Sequence, residues 1–208
     1  MRGLFITFEG IEGSGKSTQL KRAAEALRRL GVPHLVTREP GGTAIGVELR
    51  RLILHARSVV DPAAELLLLF ADRRQHLVEE IEPALARGQV VLCDRYTDAS
   101  RAYQGAGRRL GEDAVDELHR RFCGRDPDRT YLFDCPVPRA LARLSARRDG
   151  PDKIEKEALA FHRRVRRAYL DRAAREPGRF LVLDTRRSEG EVAERLIADL
   201  EARTARYR

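Results

Sequence analysis

The amino-acid sequence predicts an α/β fold, a parallel sheet of about five strands with helices packed on both faces. Three observations carry this expectation. Short apolar runs alternate with longer amphipathic ones along all 208 residues. No internal repeat, low-complexity tract or Pro/Gly/Ser-rich linker divides the chain, so residues 1–208 read as a single mid-sized domain. The composition, 42% hydrophobic and 35% charged, suits a chain of this length folding around a core without staples.

The elements follow in order. Leu4 to Phe8 is apolar but for Thr7, as a strand buried on both faces should be. A helix over 16–30 comes next, with Leu20, Ala24, Leu27 and Leu30 at helical spacing. Pro33 to Thr37 reads as the second strand, and amphipathic stretches at 44–55 and 62–87 separate it from the third, Gln89 to Cys93. A helix over 112–122 leads to the fourth strand, Thr130 to Phe133. Helices over 137–147 and 153–175 precede the fifth strand, Phe180 to Leu183. The last helix spans 189–204, with Leu196, Ile197 and Leu200 on one face. In such a sheet ligands sit beyond the carboxyl ends of the strands, so the residues just after each strand matter most.

Charge and composition narrow the ligand. Forty basic against thirty-two acidic residues leave a net charge of +8, and all but four of the basic residues are arginine. The excess attracts anions, leaving nucleic acid, acidic lipid and phosphorylated metabolites open. The longest apolar run, Leu66 to Ala71, is far short of the roughly 20 residues a bilayer requires. The N-terminus reaches Glu9 too soon for a secretory signal. Three scattered cysteines (Cys93, Cys123, Cys135) without a CxxC pair point to a reducing compartment, the cytoplasm by default. Aromatics are only 6%, and the basic residues are dispersed among acids, which argues against a nucleic-acid-binding ATPase.

After the first strand comes Glu9 and then Gly10-Ile11-Glu12-Gly13-Ser14-Gly15-Lys16-Ser17-Thr18, followed by a helix. This is GxxxxGK(S/T) in the strand-loop-helix setting that a phosphate-binding P-loop requires. The glycines let successive N–H groups converge on one phosphate chain, and the helix N-terminus adds its field. Lys16 would reach the β- and γ-phosphates of ATP, and Ser17 would ligate Mg²⁺. An NKxD-like base reader of guanine switches is absent. A kinase with a small acceptor remains, and it needs an acceptor site and mobile basic residues.

The second strand runs into Thr37-Arg38-Glu39-Pro40-Gly41-Gly42-Thr43, and the third ends at Asp94-Arg95-Tyr96. Asp94, at the end of a strand beside the P-loop, is positioned to hold the metal or its water shell. The pair Asp94-Arg95 could also be a plain helix-entry salt bridge. The segments FEGIEGSGKST (8–18), TREPGGT (37–43), DRY (94–96), AYQGAGR (102–108) and DKIE (152–155) together resemble the thymidylate kinases. That resemblance implies a P-loop kinase fold with a short mobile lid, ATP- and Mg²⁺-dependent phosphorylation of dTMP to dTDP, and a homodimer. Another P-loop nucleoside monophosphate kinase, for dGMP or a broader range, is the nearest alternative.

Carried over, the resemblance puts Arg95 and Arg73 on the acceptor's phosphate and Tyr103 against its deoxyribose. Ser100 and Gln104 would face the thymine edge, Arg50 its carbonyl side, with Glu39, Pro40 and Gly41 as a wall. Glu12 occupies an acidic position that the family uses near acceptor and metal. The stacking aromatic of the family lies four residues before the helix arginine. Here that place is Leu69, so Phe70 is expected to stack if Arg74 rather than Arg73 is in register. Ala99 replaces a serine common among relatives.

The acceptor oxygen belongs to a phosphate monoester already ionised near pH 7, so no general base is needed, and catalysis reduces to alignment and charge neutralisation. The five histidines accordingly read as structural or surface residues. Gly13 stands where some relatives carry a P-loop arginine, which assigns that charge to a basic lid over about 143–153, with Arg143, Arg147 and Arg148 as candidates. Asp152 and Glu155 would reach the acceptor sugar or orient arginines. Adenine is expected near the loop 184–188, against Arg147 or Arg186.

Overall fold

A computed structural model describes residues 2–55, 59–145, 154 and 157–207. Five parallel strands form one sheet in the order β2-β3-β1-β4-β5: β1 (Leu4–Glu9), β2 (His34–Arg38), β3 (Val90–Asp94), β4 (Arg129–Asp134) and β5 (Phe180–Asp184). β1 lies at the centre, with Leu4 opposite Val90 on one side and Ile6 opposite Arg129 on the other. Each strand begins or ends within a residue or two of its expected bounds.

The apolar runs are uniform because both faces of the sheet are covered. Leu4, Ile6 and Phe8 point to the side occupied by α1 (Lys16–Arg29) and α9 (Glu189–Thr204), where they meet Leu20, Leu27, Leu196 and Leu200. Phe5, between them, points the other way, against Leu77, Ile81 and Leu85. Period-two alternation thus feeds two cores. Burying each such side chain contributes roughly 1.5–3 kcal/mol.

Helix starts follow local chemistry. Asp61 Oδ1 accepts the N–H groups of Ala63 and Ala64, capping α3 (Pro62–His76) just before its Pro62. Ser188 and Glu191 close a capping box on α9. The stretch expected as one helix over 62–87 runs from α3 through a π-helical turn, Leu77–Ile81, into α4 (Glu82–Ala86). The segment after β3 is also helical, α5 (Thr97–Ser100) continuing as a π-helical Arg101–Gly107. Sequence reasoning did not mark it, because Gly105 and Gly107 are poor helix formers. Gly107 is required there by close packing, since a Cβ would sit 2.6 Å from the Phe161 ring. The remaining α-helices are α2 (Ala44–His55), α6 (Glu112–Leu118), α7 (Val137–Ser145) and α8 (Leu159–Arg175). Among the described residues no helix is long and apolar enough to cross a membrane.

Candidate active site

The P-loop joins β1 to α1, and its shape depends on glycine. Gly13 adopts φ +72°, and a Cβ there would lie 2.3 Å from the Ala140 carbonyl oxygen of α7. Lys16 Nζ stands 3.4 Å from Asp94 Oδ1, and Ser17 Oγ donates to Asp94 Oδ2 at 3.3 Å. Strand β3 therefore delivers Asp94 to the head of the P-loop helix, 77 residues away in sequence.

Arg95, the next residue, has φ +73°, a left-handed conformation costly for a side chain of this size. Its N–H donates to Phe8 O (3.0 Å), fixing the turn against β1. The guanidinium donates to Glu12 Oε1 (2.6 Å), Tyr103 OH (3.1 Å) and Tyr169 OH (3.3 Å) and lies over the Tyr103 ring. Tyr103 OH in turn donates to Glu12 Oε2 at 2.6 Å. Burial alone would raise the Glu12 pKa, but Arg95, Lys16 and the Tyr103 hydrogen bond outweigh it, and the carboxyl lies below its ordinary value. Burial and the nearby Arg95 lower that of Lys16. Arg95 moves up in spite of burial, because Tyr103, Glu12 and Tyr169 surround it.

A second arginine lines the same cavity. Arg73, 1% exposed, donates Nε to Glu39 Oε2 (2.7 Å) and Nη2 to Ser100 Oγ (3.1 Å), while its buried Nη1 has no hydrogen bond. The other Glu39 oxygen meets His76 Nδ1 at 3.0 Å, and His76 Nε2 meets Thr37 Oγ1 at 2.7 Å. Asp72 Oδ1 accepts the Gly41 N–H at 3.0 Å. Residues 37–43 are thus fastened to α3 from below. Burial and Glu39 push the Asp72 carboxyl up to about 6.

Of these groups, Glu12, Lys16, Glu39, Arg73, Asp94, Arg95, Ser100 and Tyr103 line one cavity of about 310 Å³, within the range typical of small-ligand sites. Glu12, Lys16, Ser17, Asp94 and Arg95, linked by their mutual contacts, line it together with Ser100, Gln104, Arg73, Glu39, Pro40, Arg50 and Tyr103. Arg50 Nη1 donates to the Pro40 carbonyl at 3.0 Å. A second cavity of about 320 Å³ is lined by Ser14, Gly15, Thr18, Arg139, Arg143 and Thr185 among others. Gly13 belongs to both, so the two cavities meet at the P-loop. Arg143 Nη1 donates to Gly13 O at 3.2 Å.

Several expectations need correction. Phe70 does not line the first cavity; it is buried with Leu66 and Val115 and supports the Arg73 guanidinium at 4.6 Å. Leu69 lines the cavity instead, because one residue along a helix turns a side chain by about 100°. Arg74 is exposed, so Arg73 is the inward arginine. Arg73 donates to Glu39 and Ser100 and lines the same cavity as Arg95. Ile11 is a core residue packed with Leu132, and neither it nor Gly10 faces the two large cavities. Arg186 turns back to Asp184 at 2.8 Å, and Arg187, Ser188 and Arg139 take the second cavity's edge. Arg147, Arg148 and Asp152, and with them most of the expected lid over 143–153, lie outside the described residues.

Tyr169, Glu65, Arg38 and Leu69 belong to the site or its support and were not singled out by sequence reasoning. Only the −4 spacing from Arg73 pointed at Leu69.

The donor set fits Mg²⁺. Asp94 Oδ1 is buried with only the ion-pair contact to Lys16 Nζ and no hydrogen bond, and the Ser17 hydroxyl is adjacent. No group of three or more His, Cys, Asp or Glu side chains that could hold a metal occurs among the described residues. A single carboxylate with a hydroxyl is the donor set of an ion that keeps waters and binds phosphates.

A P-loop on the central strand, an Asp beside it and a second cavity opening onto the same loop define a kinase of the P-loop class. Comparison with known proteins narrows the class. A family model described as thymidylate kinase matches residues 8–196. Thymidylate kinase of Bordetella petrii is 50% identical over 202 residues, covering 97% of this chain and 96% of its own length. That of Cupriavidus metallidurans is 51% identical over 205 residues, covering 96% and 100%. The crystal structure of thymidylate kinase from Ehrlichia chaffeensis superposes with a TM-score of 0.79 at 33% identity, covering 97% of this chain and all of that one. The chain belongs to the thymidylate kinase family.

Proposed function

We propose that this chain transfers the γ-phosphoryl group of ATP to the phosphate of dTMP, giving dTDP and ADP, with Mg²⁺, in the cytoplasm and as a homodimer. The observation that carries the reading is the meeting of two cavities at Gly13, with Lys16, Asp94 and Arg95 at the junction. ATP occupies the cavity bordered by Arg139, Arg143 and Thr185, and dTMP the one bordered by Arg95, Tyr103 and Arg73.

In this arrangement an oxygen of the dTMP phosphate attacks the γ-phosphorus while the bond to the β–γ bridging oxygen breaks and ADP leaves. The acceptor is already anionic, so the protein's task is alignment and charge neutralisation. Arg95, held by Glu12, Tyr103 and Tyr169, binds the acceptor phosphate. Lys16 holds the β- and γ-phosphates, and Arg143 adds positive charge on the donor side. Ser17 and Asp94 would hold Mg²⁺, which when bound neutralises phosphate charge. Tyr103 packs on the sugar, where its ring leaves no room for a 2′-hydroxyl, and Leu69 lines the region of the base.

At the base end, Arg73 Nη1 is a donor without a partner, suited to a ring carbonyl. Ser100 Oγ already accepts from Arg73, leaving its own O–H to donate. The half-exposed Ile45, Leu52 and Leu67 of α2 (Ala44–His55) and α3 support a dimer contact on those helices. ADP release measured in parallel with dTMP, dUMP, dGMP and dCMP tests the reading. A clear preference for dTMP is expected, and equal rates or a preference for dGMP would overturn it.

A further inference from the structure

We infer that Glu65 sets the base selectivity of the acceptor cavity by dictating which end of the Gln104 carboxamide faces the base. The inference rests on the acceptor reading above and deepens it.

Glu65 lies in the first turn of α3 and is 1% exposed. Its Oε1 accepts from Gln104 Nε2 at 2.8 Å in a buried contact. Arg108 donates Nε to Oε1 and Nη2 to Oε2, each at 3.4 Å, and is held from its other side by Glu157. Gln104 is 4% exposed and lines the same cavity as Ser100 and Arg73.

A primary amide has nearly the same shape in either orientation, so shape alone does not choose between them. Here chemistry chooses. A carboxylate paired with an arginine has only acceptors, so the Gln104 NH₂ must turn to Glu65. The reverse orientation would set oxygen against oxygen in a buried site and lose a charge-assisted hydrogen bond. The carbonyl Oε1 is therefore the end left for the cavity, and it has no hydrogen bond among the described residues.

An acceptor at that place selects a base presenting a ring N–H, as a 4-oxo pyrimidine does at N3. Cytosine presents a lone pair at N3, which meets the Oε1 lone pairs. The Arg73 Nη1 donor favours the 4-oxo group and disfavours the 4-amino group in the same sense. Glu65 itself acts through Gln104, as a positioning residue.

Glu65→Gln isolates this role, because a second amide can donate or accept and lets Gln104 turn over. The measurement is kcat/KM for dTMP and for dCMP at saturating ATP. In the Glu65→Gln variant the dTMP/dCMP ratio is expected to fall tenfold or more, since sites that hydrogen-bond a substrate group owe large discrimination factors to that bond. Glu65→Asp, which keeps an accept-only carboxylate, is expected to stay closer to the wild-type ratio. Equal losses on both substrates, with the ratio within about threefold of wild type, would mean a purely structural Glu65 and would overturn the inference. Should Glu65→Gln fail to fold, the wild-type chain decides it by NMR. Slowly exchanging Gln104 side-chain NH₂ protons support the inference, and freely exchanging ones overturn it. A wild-type chain that leaves dTMP unphosphorylated would instead refute the acceptor reading, so the two failures are distinct.

Discussion

Glu9 closes β1 beneath the site and is fully buried, accepting from Tyr96 N (2.7 Å) and Tyr169 OH (2.7 Å). Burial raises its pKa and Asp98 adds to the rise, while Arg95, Tyr169 and the Tyr96 N–H offset part of it, leaving the carboxyl at about 8 against an ordinary 4.5. The folded chain thus keeps a proton that the unfolded chain releases above 4.5. Stability from this group is fully present below 4.5, falls as the pH climbs, and is lost once the pH passes about 8. The interval between the two values, at about 1.4 kcal/mol per pH unit, amounts to about 5 kcal/mol, of which about 3 falls between pH 5.5 and 8.5. Glu9→Gln cannot ionise and removes that slope. Urea unfolding of both proteins at pH 5.5 and pH 8.5 checks it: the wild type should lose about 3 kcal/mol more than the variant over that range. Parallel losses in the two proteins would refute the reasoning.

Other perturbations reach different parts of the site. Arg95→Ala is expected to lower kcat by about 10²–10³, the scale for losing one preorganised charge-stabilising donor, and steady-state kinetics at saturating dTMP and ATP measures it. Arg73→Met leaves Glu39 buried with only His76, so a loss of about 3 kcal/mol and a melting point lower by about 6–12 °C are expected, with a raised KM for dTMP. Gly13→Ala combines a left-handed backbone with a Cβ driven into Ala140 O, and calorimetry should show weakened ATP binding. Chelation of divalent cations should abolish ADP formation, and excess Mg²⁺ should restore it; turnover unaffected by chelation would remove Ser17 and Asp94 from a metal role.

The sequence made legible whatever is local or carried by a short motif. Leu4 to Phe8 and the GxxxxGKS run place the P-loop on a buried strand, and each further run expected as a strand became one, while the longest apolar run, Leu66 to Ala71, lies in α3. Asp94 and Arg95 stood out because they close a strand, where a parallel sheet opens to ligands, whereas Glu39, Ser100 and Gln104 were named through the family resemblance of the segments TREPGGT and AYQGAGR. What stayed hidden depends on side-chain direction across long separations. Leu69 and Phe70 are neighbours in sequence, and only the rotation of α3 decides which faces the cavity. Tyr169 reaches Arg95 from 74 residues away, and Glu65 reaches Gln104 from 39. No local pattern announces such pairs. The arginine excess is similar: Arg179 and Arg101 close on the buried Asp98 and serve packing rather than phosphate.

The central place of β1 bears on how the chain comes to fold during synthesis. β1 leaves the ribosome before the other four strands, yet both of its neighbours, β3 and β4, are made 80 or more residues later. Its own end is tied by Phe5 N to Asp128, and the turn of Arg95 hangs on Phe8. A nascent chain shorter than β3 lacks the partner that shapes the phosphate loop, and one shorter than β4 leaves an apolar edge unpaired. High contact order of this kind slows folding and exposes sticky intermediates. The segment that binds nucleotide is thus made before the two strands that flank it and waits for them before its loop takes shape.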